Sequence, residues 1–134
     1  MDRFVSNVVL RLDSKGRVSI PASFRAVLNR DGFEGLYCYP ALDQPAIDAG
    51  GNALMAEIET LKVDGEGRVM LTGQFKEYAG ITDSVAFVGL GHKFQIWEPG
   101  RFRSELAEAT DKVRELKQQL GSQAAARNAP GARE

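Results

Sequence analysis

One short sequence pattern occurs twice in this chain, and the repeat constrains the fold more than any other feature. The two copies are LRLDSKGRVSIPASFRAVL, which starts at Leu10, and LKVDGEGRVMLTGQFKEYA, which follows about fifty residues later. Both contain an Asp-x-x-Gly-Arg turn, apolar residues one and three positions after the arginine, and a phenylalanine followed by a cation. Agreement at this many offsets predicts an internal duplication of one small structural unit.

The first copy reads as strand, turn, strand, helix and strand. FVSNVVLRL alternates and is rich in β-branched residues, which predicts a strand ending near Leu12; RVSI predicts a second strand, paired with the first as a hairpin. Pro21 suits a first helical position, and Phe24, Val27 and Leu28 form one apolar helix face. GLYCYP predicts a further strand.

The second copy repeats this order. TLKV and RVML are predicted strands, Thr72 is a predicted helix N-cap, and Gly80 ends the helix. Phe75, Tyr78 and Ala79 reproduce the apolar helix face in the same register. SVAFVGL and KFQIW predict two more strands. Between the copies, ALDQPAIDAGGNALMAEIE is acidic, and only NALMAEIETL has the character of a short helix.

The C-terminal region has helical periodicity followed by a segment of different composition. Its apolar residues alternate in steps of four and three, which is close to a coiled-coil seam and predicts a helix over 102–120. That helix either packs on its own domain or forms a seam with another subunit. GSQAAARNAPGARE has few large apolar residues and predicts a disordered tail. The seam positions are Phe102, Leu106, Ala109, Val113, Leu116 and Leu120.

The net charge is −1, but the charges are unevenly distributed. Residues 1–30 carry six basic groups against two acids, and a local basic face of this kind attracts polyanions even in a neutral protein. Each turn is therefore a candidate DNA-recognition element, because a two-stranded ribbon fits the major groove and arginine binds phosphate or guanine. The competing interpretation is that Asp and Arg pair across the turn and only define its shape.

The first turn carries the stronger DNA-binding prediction. Arg17 is the predicted contact residue, Lys15 and Arg11 would add phosphate contacts, and Asp13 and Gly16 would shape the turn.

In the second turn, Arg68 and Lys62 are the predicted contacts, and Asp64 and Gly67 shape the turn. Glu66 stands where the first turn has a lysine, which changes the local charge by two units. The first copy is therefore expected to make most of the DNA contact, with the second as its structural partner.

Little in the sequence favours catalysis. His92 is the only histidine and Cys38 the only cysteine, so a cluster of histidine and cysteine ligands for a metal cannot form within one chain. Cys38 lies in an apolar strand and is predicted to be a core residue. No cofactor is expected and no enzyme activity. The sequence shows no signal peptide and no apolar run of about 20 residues that would span a membrane, and a cytoplasmic location is expected.

The segments LDSKGRVSIPASFR, VDGEGRVMLT and YAGITDSVAFVGLGHKFQIW together resemble the MraZ family of bacterial transcriptional regulators. The resemblance implies an α+β, mainly β fold, in which tandem AbrB/SpoVT-like β-barrel halves form one pseudo-symmetric unit, with a C-terminal helix. This chain departs from the family at one point, because its connection between the copies is shorter than the helical segment that family members usually have. The implied divisions are a first repeat at 1–48, a shortened linker at 49–57, a second repeat at 58–101, a helix at 102–120 and a disordered tail at 121–134.

The resemblance further implies a function. It implies a sequence-specific, nucleoid-associated DNA-binding regulator, a repressor, that binds repeated promoter elements of the cell-division and cell-wall gene cluster as a homo-oligomeric ring. The DNA-contact role then belongs first to Arg17 and Lys15, and next to Arg68. The alternatives are an AbrB-type antitoxin and a structural homo-oligomer without specific DNA binding.

Overall fold

The structure is a computed structural model that describes residues 4–30, 35–50 and 59–128. The predicted α+β fold, mainly β and with a C-terminal helix, is confirmed. Most of the predicted linker, and most of the short helix predicted in NALMAEIETL, lies outside the described residues. The elements are β1 (Asn7–Arg11), β2 (Arg17–Ser19), α1 (Ala22–Arg30), β3 (Gly35–Pro40), β4 (Ile47–Ala49), β5 (Glu59–Lys62), β6 (Arg68–Met70), α2 (Gly73–Ala79), β7 (Ser84–Gly89), β8 (Phe94–Trp97) and α3 (Pro99–Asn128).

The strands of the two copies are interleaved. In the described part of the chain, one sheet has six strands in the order β1-β7-β8-β4-β3-β5, and a second sheet pairs β2 with β6. The predicted hairpins are therefore wrong: β1 pairs with β7 and β2 with β6, so the strands on either side of each turn enter different sheets. Each turn forms as expected, but the strands on either side of it pair with strands of the other copy.

The strand registers obey a pseudo-two-fold symmetry. Arg11 lies opposite Ser84 where β1 pairs with β7, and Lys62 lies opposite Gly35 where β5 pairs with β3, so the last residue of one strand meets the first of its partner in both cases. The β2–β6 ladder is centred on Val18 opposite Val69. These reciprocal registers are the structural counterpart of the sequence duplication.

The hydrophobic core is shared by both copies. Phe24 of α1 packs edge-on against Phe4 and Phe87, and it lies 4.9 Å from Phe94, measured between ring centroids. Phe24, Phe87 and Phe94 are fully buried. Since these aromatic rings come from both sides of the repeat, neither copy holds a core of its own.

The helix ends differ between the copies. Thr72 caps α2 as predicted, because its Oγ1 accepts from the Phe75 amide at 3.2 Å, and Gly80 ends the helix with φ of 69°. Pro21 lies one position before α1 instead of inside it, and its carbonyl oxygen accepts from the Arg25 amide at 2.9 Å. The predicted apolar faces are buried except at Tyr78, which is 41% exposed.

Strand β4 was not predicted, and it includes Ala49, which the predicted division had placed in the linker. The strand is short and contains Asp48, so its acidic, turn-rich surroundings masked it. In the structure Asp48 lies opposite Gln95 of β8 and both are buried. Gln95 Nε2 donates to Asp48 Oδ1 at 2.8 Å, and Lys93 Nζ lies 3.1 Å from Asp48 Oδ2. These partners explain how a carboxylate is accommodated at the centre of a sheet.

Apart from its first residue, Pro99, the C-terminal helix α3 belongs to a second unit that begins at Gly100. It is longer than the predicted 102–120, and the segment predicted to begin a disordered tail is helical as far as Asn128. Its alanine-rich composition favours helix despite the lack of large apolar residues. The seam residues Leu106, Val113, Leu116 and Leu120 are 51–55% exposed.

Candidate nucleic-acid interface

Each Asp-x-x-Gly-Arg segment folds into a tight turn whose aspartate positions the arginine. In the first turn, residues 13–17, Asp13 Oδ1 accepts the backbone amides of Lys15 and Arg17, both at 2.9 Å. Asp13 Oδ2 accepts from Arg17 Nε at 2.8 Å. Because the aspartate takes the Nε edge of the guanidinium, the two terminal nitrogens remain available for a bidentate contact.

The second turn, residues 64–68, repeats this geometry. Asp64 Oδ1 accepts the amides of Glu66 and Arg68 at 2.9 Å, and Asp64 Oδ2 accepts from Arg68 Nε at 3.0 Å. The glycines before the arginines, Gly16 and Gly67, have φ of 80° and 79°, which residues with a Cβ rarely adopt. The repeated sequence thus encodes two equal turns.

Both turn carboxylates are held in the ionised form. The backbone hydrogen bond from Arg17 lowers the pKa of Asp13, assisted by the other donors of the turn, and the corresponding bond from Arg68 lowers the pKa of Asp64. Each aspartate therefore carries its charge at neutral pH and accepts only. In both turns the aspartate accepts the backbone hydrogen bond that comes from the arginine at the end of the turn.

The paired strands β2 and β6, called the ribbon below, present the two arginines on one face. Arg17 lies opposite Met70 and Arg68 opposite Ser19, while the central pair Val18–Val69 is buried on the other face. Arg17 and Arg68 are thus diagonal neighbours across the ladder, a relation that separates backbones by about 7–8 Å. The sequence predicts a ribbon formed within one copy. In the structure, one strand of the ribbon comes from each copy.

The two turns differ in the surroundings of the arginine. Arg68 Nη2 lies 3.2 Å from Glu66 Oε2, so that guanidinium contacts two carboxylates. For Arg17 the described residues supply a single carboxylate, Asp13. Lys15 stands where the second turn has its glutamate.

Two further cations, not singled out from the sequence, approach the turns from the opposite copy. Arg25 of α1 lies under the second turn, and its Nη1 donates a long hydrogen bond, 3.5 Å, to the Glu66 carbonyl oxygen. Lys76 of α2 lies under the first turn, with its Nζ 3.5 Å from the position a Cβ on Gly16 would take. Their matching places in the repeat were visible in the sequence, but only the crossed pairing of strands brings each one to the other copy's turn.

Arg25 also borders a cavity. The cavity measures about 400 Å³ and is lined in part by Asn29, Asp64 and Gly67. The Nε of Arg25 is buried and finds no hydrogen-bond partner within the described part of the chain.

The flanking cations are farther out. Arg11 ends β1 and Lys62 ends β5, each two residues before the turn aspartate, and both side chains are exposed. Within the described ranges, neither makes a hydrogen bond or ion pair to a turn residue.

The other chemistry-bearing residues lie apart from the turns. Cys38 is fully buried, as predicted, and burial raises the pKa of its thiol to about 12, with Glu59 adding to the effect. His92 is exposed. Across residues 4–30, 35–50 and 59–128, no group of three or more His, Cys, Asp and Glu side chains could hold a metal ion. The helices in the same ranges include none long and apolar enough to cross a membrane.

The fold and the site define a class of protein. It is a duplicated α+β domain in which two interleaved copies present a pair of arginine turns on one two-stranded ribbon. The profile of the family described as "MraZ protein, putative antitoxin-like" matches residues 54–120. Proteins named "Transcriptional regulator MraZ" match most of the chain. The chain belongs to the MraZ family of transcriptional regulators.

Three relatives show how much of the chain the similarity covers. The protein of Xanthobacter autotrophicus is 54% identical, over 92% of this chain and 95% of the relative. That of Beijerinckia indica is 54% identical, over 96% and 94%. That of Methylocella silvestris is 52% identical over 100% of both chains, in an alignment of 164 positions. Since this chain has 134 residues, that relative contains residues for which this chain has no counterpart.

Proposed function

We propose that this protein is a sequence-specific DNA-binding regulator, a repressor, that contacts DNA through the exposed face of the ribbon and chiefly through the first turn. The observation that carries the proposal is the fixed Arg17 guanidinium, whose Nε is held by Asp13 at 2.8 Å while its terminal nitrogens are unpaired within the described residues. A guanidinium oriented in this way is prepared for a bidentate contact to phosphate or to guanine. Lys15 and Lys76 add positive charge at the same turn.

The proposed partner is double-stranded DNA carrying repeated promoter elements of the cell-division and cell-wall gene cluster, in the cytoplasm and at the nucleoid. The protein acts as a homo-oligomeric ring, in which each chain contributes one first turn. Contacts that are weak singly become strong together, because each binding event raises the effective concentration for the next. Neither a cofactor nor catalysis enters this proposal.

Replacing Arg17 with alanine should abolish tight binding to a DNA fragment from upstream of the protein's own gene. The expected effect has two parts: a weaker affinity at every salt concentration and a shallower dependence of affinity on salt, by about 0.9 in the log–log slope for each phosphate that the protein no longer neutralises. The measurement is a binding titration by fluorescence anisotropy at several salt concentrations.

The matched control is Arg68→Ala, which removes the same side chain from the second turn. It should weaken binding less than Arg17→Ala does. Both variants must keep the wild-type assembly size by light scattering, which also tests the ring. A larger effect of Arg68→Ala would contradict the assignment of the first turn, and equal binding by all three proteins would leave the turns a purely structural role.

A second candidate is an antitoxin, which the description of the family as antitoxin-like favours. An antitoxin would bind a protein toxin as well as DNA. Co-purification of a stable, stoichiometric partner encoded beside this protein's gene would support that candidate, and isolation of the protein without any partner would support the regulator alone.

A further inference from the structure

We propose that the Glu66 carboxylate occupies the position on the Arg68 guanidinium that a DNA phosphate would take, and so disfavours phosphate binding at the second turn. This inference rests on the proposed DNA-binding function and concerns its regulation. Arg68 Nη2 lies 3.2 Å from Glu66 Oε2, while Arg68 Nε donates to Asp64 Oδ2 at 3.0 Å. A carboxylate on a guanidinium edge stands in for a phosphate, since both are oxyanions that accept from the same nitrogens.

The two turns provide an internal comparison. Each has the same two backbone bonds to its aspartate and the same Nε contact, so their geometry is equal. They differ at the middle position, where Lys15 adds a positive charge and Glu66 a negative one.

The cations that approach from the opposite copy do not remove this difference. The first turn contains two cations and one acid and is approached by Lys76, which gives a net charge of +2. The second contains one cation and two acids and is approached by Arg25, which gives a net charge of zero. Phosphate is therefore attracted more strongly to the first turn than to the second.

The carboxylate of Glu66 can be displaced. Its side chain is 74% exposed, and exposed ion pairs are weak and screened by salt. A phosphate that displaced it would still meet the released negative charge next to Arg68. Glu66 therefore makes phosphate binding at the second turn less favourable than at the first without preventing it. As a result, each chain approaches DNA in one preferred orientation.

The test compares wild type with Glu66→Gln, which removes the charge, and Glu66→Lys, which makes the second turn like the first. Binding to the upstream DNA fragment is measured over a range of salt concentrations. Glu66→Gln should steepen the log–log salt slope by about 0.9 per chain, as Arg68 gains a phosphate, and Glu66→Lys by about 1.8. The matched control Lys15→Gln should make the slope shallower by about 0.9.

A double variant identifies the residue through which the gain arises. Adding Arg68→Ala to Glu66→Gln should return the slope to the wild-type value. If wild type binds with a steep slope and Glu66→Gln does not change it, the inference is overturned while the proposed function stands. If neither wild type nor any variant binds DNA, the proposed function fails and the inference fails with it.

Discussion

At the scale of single residues, the two turns are sites where few amino acids would serve. An aspartate that receives two amides and a guanidinium needs a short side chain with two acceptor oxygens, and Asp13 and Asp64 both meet this requirement. The glycines need positive φ for the chain to close the turn. The neighbouring side chains then determine the charge of each turn. Two turns of equal geometry therefore differ in what they can bind.

Replacing Gly67 with alanine should destabilise the protein more than the same change at Gly16. Both glycines are left-handed, and that conformation costs a residue with a Cβ about 1–2 kcal/mol. At Gly67 the added Cβ would also lie 2.4 Å from Arg25 Cδ, whereas at Gly16 the nearest atom is 3.5 Å away. Thermal denaturation of both variants measures the difference, and equal midpoints would show that Arg25 moves aside without cost.

At the scale of secondary-structure elements, the centre of the six-stranded sheet is held by a chain of buried polar contacts. The Trp97 indole donates to Gln95 Oε1 at 2.9 Å, and Gln95 Nε2 donates to Asp48 Oδ1 and to Gln44 Oε1. Since β4 and β8 are equivalent strands of the two copies, this network joins the copies at their pseudo-symmetry axis. It fixes the β4–β8 register through partners that only one alignment satisfies.

Replacing Gln95 with leucine should lower the free energy of unfolding substantially. The change removes the acceptor of the Trp97 indole bond and deprives the buried Asp48 Oδ1 of the donor Gln95, and a buried group left unsatisfied costs about 1–3 kcal/mol. Urea denaturation followed by circular dichroism is the measurement.

The matched control is Gln44→Ala, which removes one hydrogen bond at the exposed end of the network and should cost about 1 kcal/mol or less. Equal stability of the two variants would mean that the buried network does not stabilise the sheet.

At the scale of the whole molecule, the two copies form one compact unit. In the described residues up to Pro99, β1 pairs with β7, β2 with β6, β3 with β5 and β4 with β8, so each copy supplies strand partners to the other. A single copy is about half of this unit, and a β-rich segment of that size has too little surface to bury on its own. Interleaving solves that problem, and it also brings Lys76 and Arg25 to the turns of the opposite copy.

Phe24→Ala, a change in the first copy, should therefore destabilise the second copy equally. Removing a fully buried phenylalanine costs about 3–5 kcal/mol. Trp97, the only tryptophan, lies in the second copy and reports on it by fluorescence, while amide exchange in β3 reports on the first.

Both probes should give the same decrease in stability, and Phe75→Ala in the second copy should affect them in the same way. A fluorescence transition that stays at the wild-type position in Phe24→Ala would show that the copies unfold independently.

The sequence by itself determined the local structure: the duplication, both Asp-x-x-Gly-Arg turns, the helix faces at Phe24 and Phe75, the Thr72 cap and the buried Cys38. The turns, the helix faces and the cap depend on neighbours within a few residues, so periodicity and turn chemistry reveal them, and the duplication is visible as a repeat of the sequence itself. Tertiary structure decided the rest. The partners of β2 and β6, the strand at Asp48 and the approach of Arg25 and Lys76 to the opposite turns depend on residues some forty or more positions apart. The local sequence does not show whether a strand pairs within its own copy or with the other copy, because the two copies offer equivalent strands. The core that both copies share selects the pairing between copies.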